Sequence, residues 1–164
     1  MYRDITDALY HLQTLGIVHA DVRSDNVLCD GKGSAILCDF SAASPCGHPI
    51  LFFPDLPPPI NDPSPVLSEA SDMFALASLI FQMEHGCAPE FVFQNGELSL
   101  PEIRSGNDGI DEVIRKAWLG EYGSTLQMLH SLMVIDAPTT KQYESPRPIS
   151  TPASLETPLE QKAR

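Results

Sequence analysis

Eight prolines fall between positions 45 and 65, at 45, 49, 54, 57, 58, 59, 63 and 65. Each fixes φ and removes a backbone donor, so neither a helix nor a central strand can run through this stretch. A long loop is expected there, and the regular elements must lie on either side of it.

Beyond the loop, Ser68 to Gly86 is apolar on most sides, which predicts a central, buried helix. Ser68 or Ser71 would cap its start, acidic Glu69 or Asp72 would sit near its positive end, and Gly86 would stop it. Before the loop, Ile5, Ala8, Leu9, Leu12 and Leu15 form one apolar stripe over residues 4 to 15, with Gly16 as terminator. Two short apolar runs follow, Asn26 to Cys29 and Ala35 to Cys38, joined by the turn formers Asp30-Gly31-Lys32-Gly33, which predicts a β-hairpin. Further helices are expected at Ile110 to Leu119 and Ser124 to Val134, with Trp118 and Tyr122 buried in the core.

After Asp136 the composition turns to Pro, Ser, Thr, Glu and Lys, too polar to offset the entropy of ordering it. The expected organisation is one folded domain over residues 1 to 136 and a disordered tail over 137 to 164. Ser145-Pro146, Thr151-Pro152 and Thr157-Pro158 are candidate proline-directed phosphorylation dipeptides on that tail.

A net charge of −12 leaves no basic patch to neutralise phosphates, which argues against nucleic acid and anionic membrane as partners. No basic stretch leads an apolar N-terminal run, and no run of eighteen apolar residues occurs, so an intracellular, soluble protein of cytoplasm or nucleus is expected. Cys29, Cys38, Cys46 and Cys87 form no CxxC pair and suggest neither a zinc site nor a disulfide framework. Buried, reduced thiols are the expectation for all four.

The chemistry concentrates in His19-Ala20-Asp21-Val22-Arg23-Ser24-Asp25-Asn26 and, after the hairpin, Asp39-Phe40-Ser41. Phosphoryl transfer needs a carboxylate to orient and deprotonate the attacking hydroxyl, and hard oxygen ligands to hold magnesium on the phosphates. Asp21, Asn26 and Asp39 have the right side chains for those tasks.

These residues resemble the protein kinase family, whose signature is an HRDxxxxN catalytic loop and a DFG triplet after a hairpin. Asn26 follows Asp21 by five residues and Asp39 follows it by eighteen, as in that family. The resemblance covers residues 1 to about 134 and implies an α+β, mainly α-helical fold: the kinase C-lobe with one small β-hairpin. It implies that Asp21 is the catalytic base, that Asn26 and Asp39 hold Mg²⁺ and nucleotide, and that Arg23 stands where serine/threonine kinases carry a phosphate-contacting lysine. Ser71-Asp72 looks like the start of the family's central helix, whose aspartate accepts hydrogen bonds from the catalytic-loop backbone. His19 is then a packing and hydrogen-bonding residue.

The implied function is transfer of phosphate from ATP to protein serine or threonine, with ATP and Mg²⁺ as cofactors and a protein substrate. The sequence departs from the family at four points. It starts at the family's E helix, without the Gly-rich loop and strand lysine that grip ATP, so a truncated or fragment chain with weak ATP binding is expected. Ala20 replaces the arginine of HRD, and Ser41 replaces the glycine of DFG. Pro58-Pro59-Ile60 stands where an APE triplet should be, and Ala88-Pro89-Glu90 is read as a coincidence.

Two alternatives remain open at this point. One is a pseudokinase-like binding module, with a protein partner covering the surface that normally meets the N-lobe. The other is a small-molecule phosphotransferase of the aminoglycoside type, which shares the HxDxxxxN loop.

Overall fold

A computed structural model of the chain describes residues 1–49, 66–94 and 97–136. The expected tail, its three phosphorylation dipeptides and the middle of the proline-rich loop lie outside the described residues. The loop's two ends meet: Gly47 N–H donates to Leu67 O (2.9 Å), Leu67 N–H donates to His48 O (2.9 Å), and Pro49 bridges Val66.

Among the described residues, four helices and three two-stranded sheets make up an α+β, mainly helical fold. The order is α1 (Tyr2–Thr14), β1 (Ile17–Val18), a 3-10 turn (Ser24–Asn26), β2 (Val27–Cys29), β3 (Ala35–Leu37) and β4 (Ser44–Pro45). After the loop come α2 (Glu69–His85), β5 (Val92–Gln94), β6 (Glu97–Ser99), α3 (Asp108–Leu119) and α4 (Thr125–Asp136).

α2 is the central element, with every residue from Met73 to Phe81 except Ala75 buried. Burial of most of its surface follows from its nearly uniform apolarity, because a helix without a polar face finds water on no side. Its start is a reciprocal cap. Ser68 Oγ accepts from Ser71 N–H (3.4 Å), and Ser71 Oγ accepts from Ser68 N–H (3.2 Å). Gly86, left-handed at φ +72, closes the other end, and its N–H donates to Gln82 O (2.9 Å).

α3 packs on α2, and α4 on α1. Trp118 of α3 is fully buried among Phe74, Phe81 and Phe91, with ring centroids 5.1–6.4 Å away, and its indole N–H donates to Ser78 Oγ (2.9 Å). Ser78 passes the bond on to Phe74 O (3.0 Å), so no polar atom of this pair is stranded in the core. Tyr122 is buried too, as expected. Glu69 serves two helices: it lies in the first turn of α2, and its Oε2 accepts from Thr125 N–H (3.1 Å) at the start of α4.

Three sequence expectations change. Leu15 does not extend the α1 stripe. Ile5 and Leu9 are buried, but the helix ends at Thr14 and Leu15 stands 59% exposed, because the chain turns away through Gly16 at φ +71. The hairpin β2–β3 forms in the expected place, with Val27, Leu28 and Cys29 opposite Leu37, Ile36 and Ala35, yet two more strand pairs, β1–β4 and β5–β6, accompany it. Finally, the cysteines are free thiols but not buried: Cys29, Cys46 and Cys87 are exposed and Cys38 is half-buried. Cys29 ends β2 at the rim of the face that packs on α1, its Sγ 3.7 Å from Met1 Sδ, and Cys46 and Cys87 follow the ends of β4 and α2. Nor do Cys29 and Cys38 oppose one another, since Cys29 pairs with Ala35.

Candidate active site

The site is assembled on α2. Asp72, one turn into that helix and nearly fully buried, accepts the N–H of His19 (2.8 Å) on one carboxylate oxygen and the N–H of Ala20 (2.9 Å) on the other. The positive end of the helix favours a carboxylate there. Burial nevertheless pushes its pKa up to about 6, against the pull of the two N–H donors. This double bond to the backbone holds Ala20 at φ +65, a left-handed conformation that costs a non-glycine residue about 1–2 kcal/mol. The supporting role expected of Asp72 is thus the role it has.

His19 is completely buried and acts as a spacer. Its Nδ1 accepts from Asp21 N–H (3.3 Å), which leaves Nε2–H to donate to Cys38 O (3.2 Å). Burial lowers its pKa, which suits the neutral tautomer those two bonds require. Both faces of the ring system are occupied by protein, the Phe40 ring standing edge-on at 5.1 Å. Packing and hydrogen bonding, as expected, account for this histidine.

Asp21 and Asn26 are brought into direct contact by the 3-10 turn. Asn26, only 3% exposed, spends its amide group on Asp21, donating to the backbone O (2.9 Å) and to carboxylate Oδ2 (2.8 Å). With Nδ2 engaged twice, Oδ1 is the atom with which Asn26 would meet a cation. Asp21's other oxygen lies 3.4 Å from Arg23 Nε, and Arg23 also reaches Asp25 at 4.0 Å. Arg23 is more than half exposed, so these pairs orient charge more than they stabilise the fold.

Asp39 arrives from the far side of the hairpin. The residue before it, Cys38, is tied twice to the His19–Asn26 loop: its N–H donates to Asn26 O (2.9 Å) and its O accepts from His19 Nε2. Asp39 itself is exposed, at φ +61, with Oδ1 accepting from Ser41 N–H (3.1 Å). The hydroxyl and N–H of Ser41 hold its carboxyl below the usual range, with smaller help from the charge of Arg23, so it stands ionised. The structure therefore brings Asp21, Arg23 and Asn26 into contact and places Asp39 beside them through the Cys38 backbone. That backbone link is the part of the site which residue types do not announce, because it involves no side chain of Cys38.

Among the described residues, no three His, Cys, Asp or Glu side chains cluster to hold a metal. The donors at this site are instead one amide and one carboxylate oxygen. That set suits Mg²⁺, which is usually held by one or two carboxylates with water and substrate phosphate completing its shell.

No protein-family profile matches the chain. It is similar to "NUAK family SNF1-like kinase 2" of Rattus norvegicus, 28% identical over 64% of this chain and 18% of the relative. It is also similar to "Protein kinase C eta type" of Mus musculus, 30% identical over 72% of this chain and 17% of the relative. The "MAP kinase-interacting serine/threonine-protein kinase 1" of Xenopus tropicalis is 23% identical over 82% of this chain and 40% of the relative. The chain thus spans less than half the length of these curated relatives. The similarities support a kinase-like relationship at low identity. Among the described residues, no helix is long and apolar enough to cross a membrane.

Proposed function

We propose that this chain carries the catalytic and metal-binding loops of a protein kinase-like phosphotransferase that uses ATP and Mg²⁺ and acts on protein serine or threonine. The observation that carries the reading is the Asp21–Asn26 pair. A buried amide gives two hydrogen bonds to one aspartate, fixing the carboxylate in position and leaving the amide oxygen as the group that would meet a cation.

In this reading Asp21 accepts the proton of the attacking hydroxyl at a carboxylate oxygen, a step that a positioned base accelerates by about 10²–10⁴. Arg23 places positive charge beside that carboxylate, where the transferred phosphoryl would pass. Asn26 and ionised Asp39 hold magnesium, which when bound would neutralise phosphate charge. Neutral His19 and buried Asp72 fix the loop that carries them.

The partner expectation also has a specific observation in its favour. Leu28 and Ile36 lie directly opposite each other on the hairpin and are 59% and 64% exposed, an apolar pair that a nucleotide or a second protein surface would cover. This also keeps the non-catalytic binding module in play as a second reading.

The test is transfer of labelled γ-phosphate from Mg-ATP, offering serine- and threonine-containing proteins in one reaction and small hydroxyl compounds in another. Label in the protein acceptor is expected. Label only in small compounds would move the chain to the small-molecule class, and label in neither would leave the binding module.

A further inference from the structure

His85, in the last turn of α2, has both ring nitrogens committed. Nδ1 lies 3.0 Å from Phe81 O, one turn back, and Nε2 accepts the N–H of Arg104 (2.9 Å), nineteen residues further along the chain. A carbonyl only accepts and a backbone N–H only donates, so Nδ1 carries the proton and Nε2 does not. The ring also lies flat on Phe81, with centroids 3.9 Å apart and planes 11° from parallel.

Between His85 and Arg104 the chain leaves α2, makes β5 and β6, and returns toward α3. This excursion carries Phe91, whose ring stands 5.2 Å from Phe74 and 5.1 Å from Trp118, and Leu100 and Ile103, which pack partly buried against the core. His85 thus clasps the end of the excursion to the helix on which it began. The next link, Ser105 N–H to Asp111 Oδ1 (2.9 Å), ties the chain to α3 and not to α2.

We propose that the His85–Arg104 bond is a pH-sensitive clasp, released when the imidazole takes a second proton, so that residues 87–104 loosen from α2. Histidine changes charge between about pH 5 and 8. Once Nε2 carries a proton, two donors face each other, and the Arg104 N–H must turn to water. The charged ring nevertheless has reason to stay in place. Nδ1–H keeps Phe81 O, the carbonyl end of α2 favours a cation, and the face of Phe81 attracts one. Only the bond that reaches across the chain is lost.

The charged groups on the elements around the ring are engaged elsewhere. On α2, Glu84 takes the hydroxyl of Tyr2 from α1 (2.6 Å). On the returning strand, the Arg104 guanidinium pairs with Glu102. On α3, Arg115 and Lys116 pair with Glu112 at 3.0 and 3.2 Å, and Asp111 holds Ser105. Cys87 and Glu90, at the start of the excursion, are exposed. None of these side chains bonds the imidazole, so the ring's own proton decides whether Arg104 is held.

The test follows amide exchange and the His85 ring nitrogens in the isotopically labelled full chain from about pH 7.5 to about 5.5, across the range in which histidine titrates. At the upper end the ring is expected as the Nδ1–H tautomer. As pH falls, protection of the Arg104 amide, corrected for intrinsic exchange, is expected to drop about tenfold, the size of one hydrogen bond. The drop follows the midpoint of the His85 ring, while emission from Trp118, the chain's one tryptophan, shifts to the red. His85→Gln, whose side-chain oxygen can accept the same N–H but takes no proton, is expected to hold Arg104 at both ends of the range. Protection that is constant with pH, that falls with a midpoint other than that of His85, or that falls equally in His85→Gln overturns the clasp. The first two outcomes are read on the unaltered chain, so a variant that fails to fold does not shield the proposal. Any other form of the ring at the upper end overturns it as well. A fall confined to Arg104, with Trp118 emission unmoved, overturns the release of residues 87–104.

Discussion

Asp72→Ala is expected to cost the fold about 2–6 kcal/mol near pH 4 and about 3 kcal/mol less at pH 7. Removing the carboxylate strands the N–H groups of His19 and Ala20, and each buried donor left without a partner costs about 1–3 kcal/mol. The pH dependence comes from the raised pKa. Asp72 titrates at about 6 in the fold against an ordinary 3.8, so the native state holds the proton more tightly than the unfolded one. The stability this contributes is fully present below 3.8 and is lost as pH rises through about 6, a difference of about two units or about 3 kcal/mol. The alanine variant has no such group, so the gap between the two proteins should widen on acidification. Urea denaturation of both at pH 4 and pH 7 checks this. A gap that stays constant, or narrows in acid, would mean that burial does not govern Asp72.

The second large effect belongs to Asp21. Asp21→Asn is expected to lower phosphate transfer by about 10²–10⁴ while sparing the fold and the binding of Mg-nucleotide. An asparagine oxygen can still accept from Asn26 Nδ2, so the loop keeps its shape, and the proposed metal ligands Asn26 and Asp39 are untouched. What disappears is proton acceptance at that atom. Turnover measured beside nucleotide affinity separates the two roles: loss of both together would place Asp21 among the metal ligands, and loss of neither would remove it from the chemistry.

Much of this was legible in the residues because the signals were local. Ser68, Ser71 and Gly86 bracket α2 with side-chain and backbone chemistry that needs no distant partner, and the structure bears them out. Asp30-Gly31-Lys32-Gly33 announced its hairpin in the same way, Asp30 Oδ1 accepting from both Lys32 and Ser34 N–H. Asp21 and Asn26 meet within one short loop, so their contact too needs no distant partner.

What was not legible depended on meetings across the chain. β1 and β4 are two residues each, too short for an alternating pattern to show, and exist because Ser44 and Pro45 return to lie against Val18 and Ile17. The pair β5–β6 did carry a signal: Asn95-Gly96, a strong hairpin dipeptide, stands between Gln94 and Glu97. Cysteine's general tendency to burial misjudged Cys29, because it ends its strand, at the rim of the face that packs on α1 rather than under it. The Cys38 link between Asn26 and His19 is backbone chemistry, and any residue with an N–H would make it.

The central claim is that Asn26 and Asp39 form a divalent-cation site beside Asp21, and paramagnetic broadening by Mn²⁺ bound with nucleotide tests it most directly. Titrated into isotopically labelled chain, Mn²⁺-ATP should broaden the resonances of Asn26, Asp39 and their immediate neighbours first, and Asp39→Asn should abolish that selectivity. Broadening that begins instead at the exposed acids of α3, Asp108 and Glu112, or that is unchanged in Asp39→Asn, would contradict the claim.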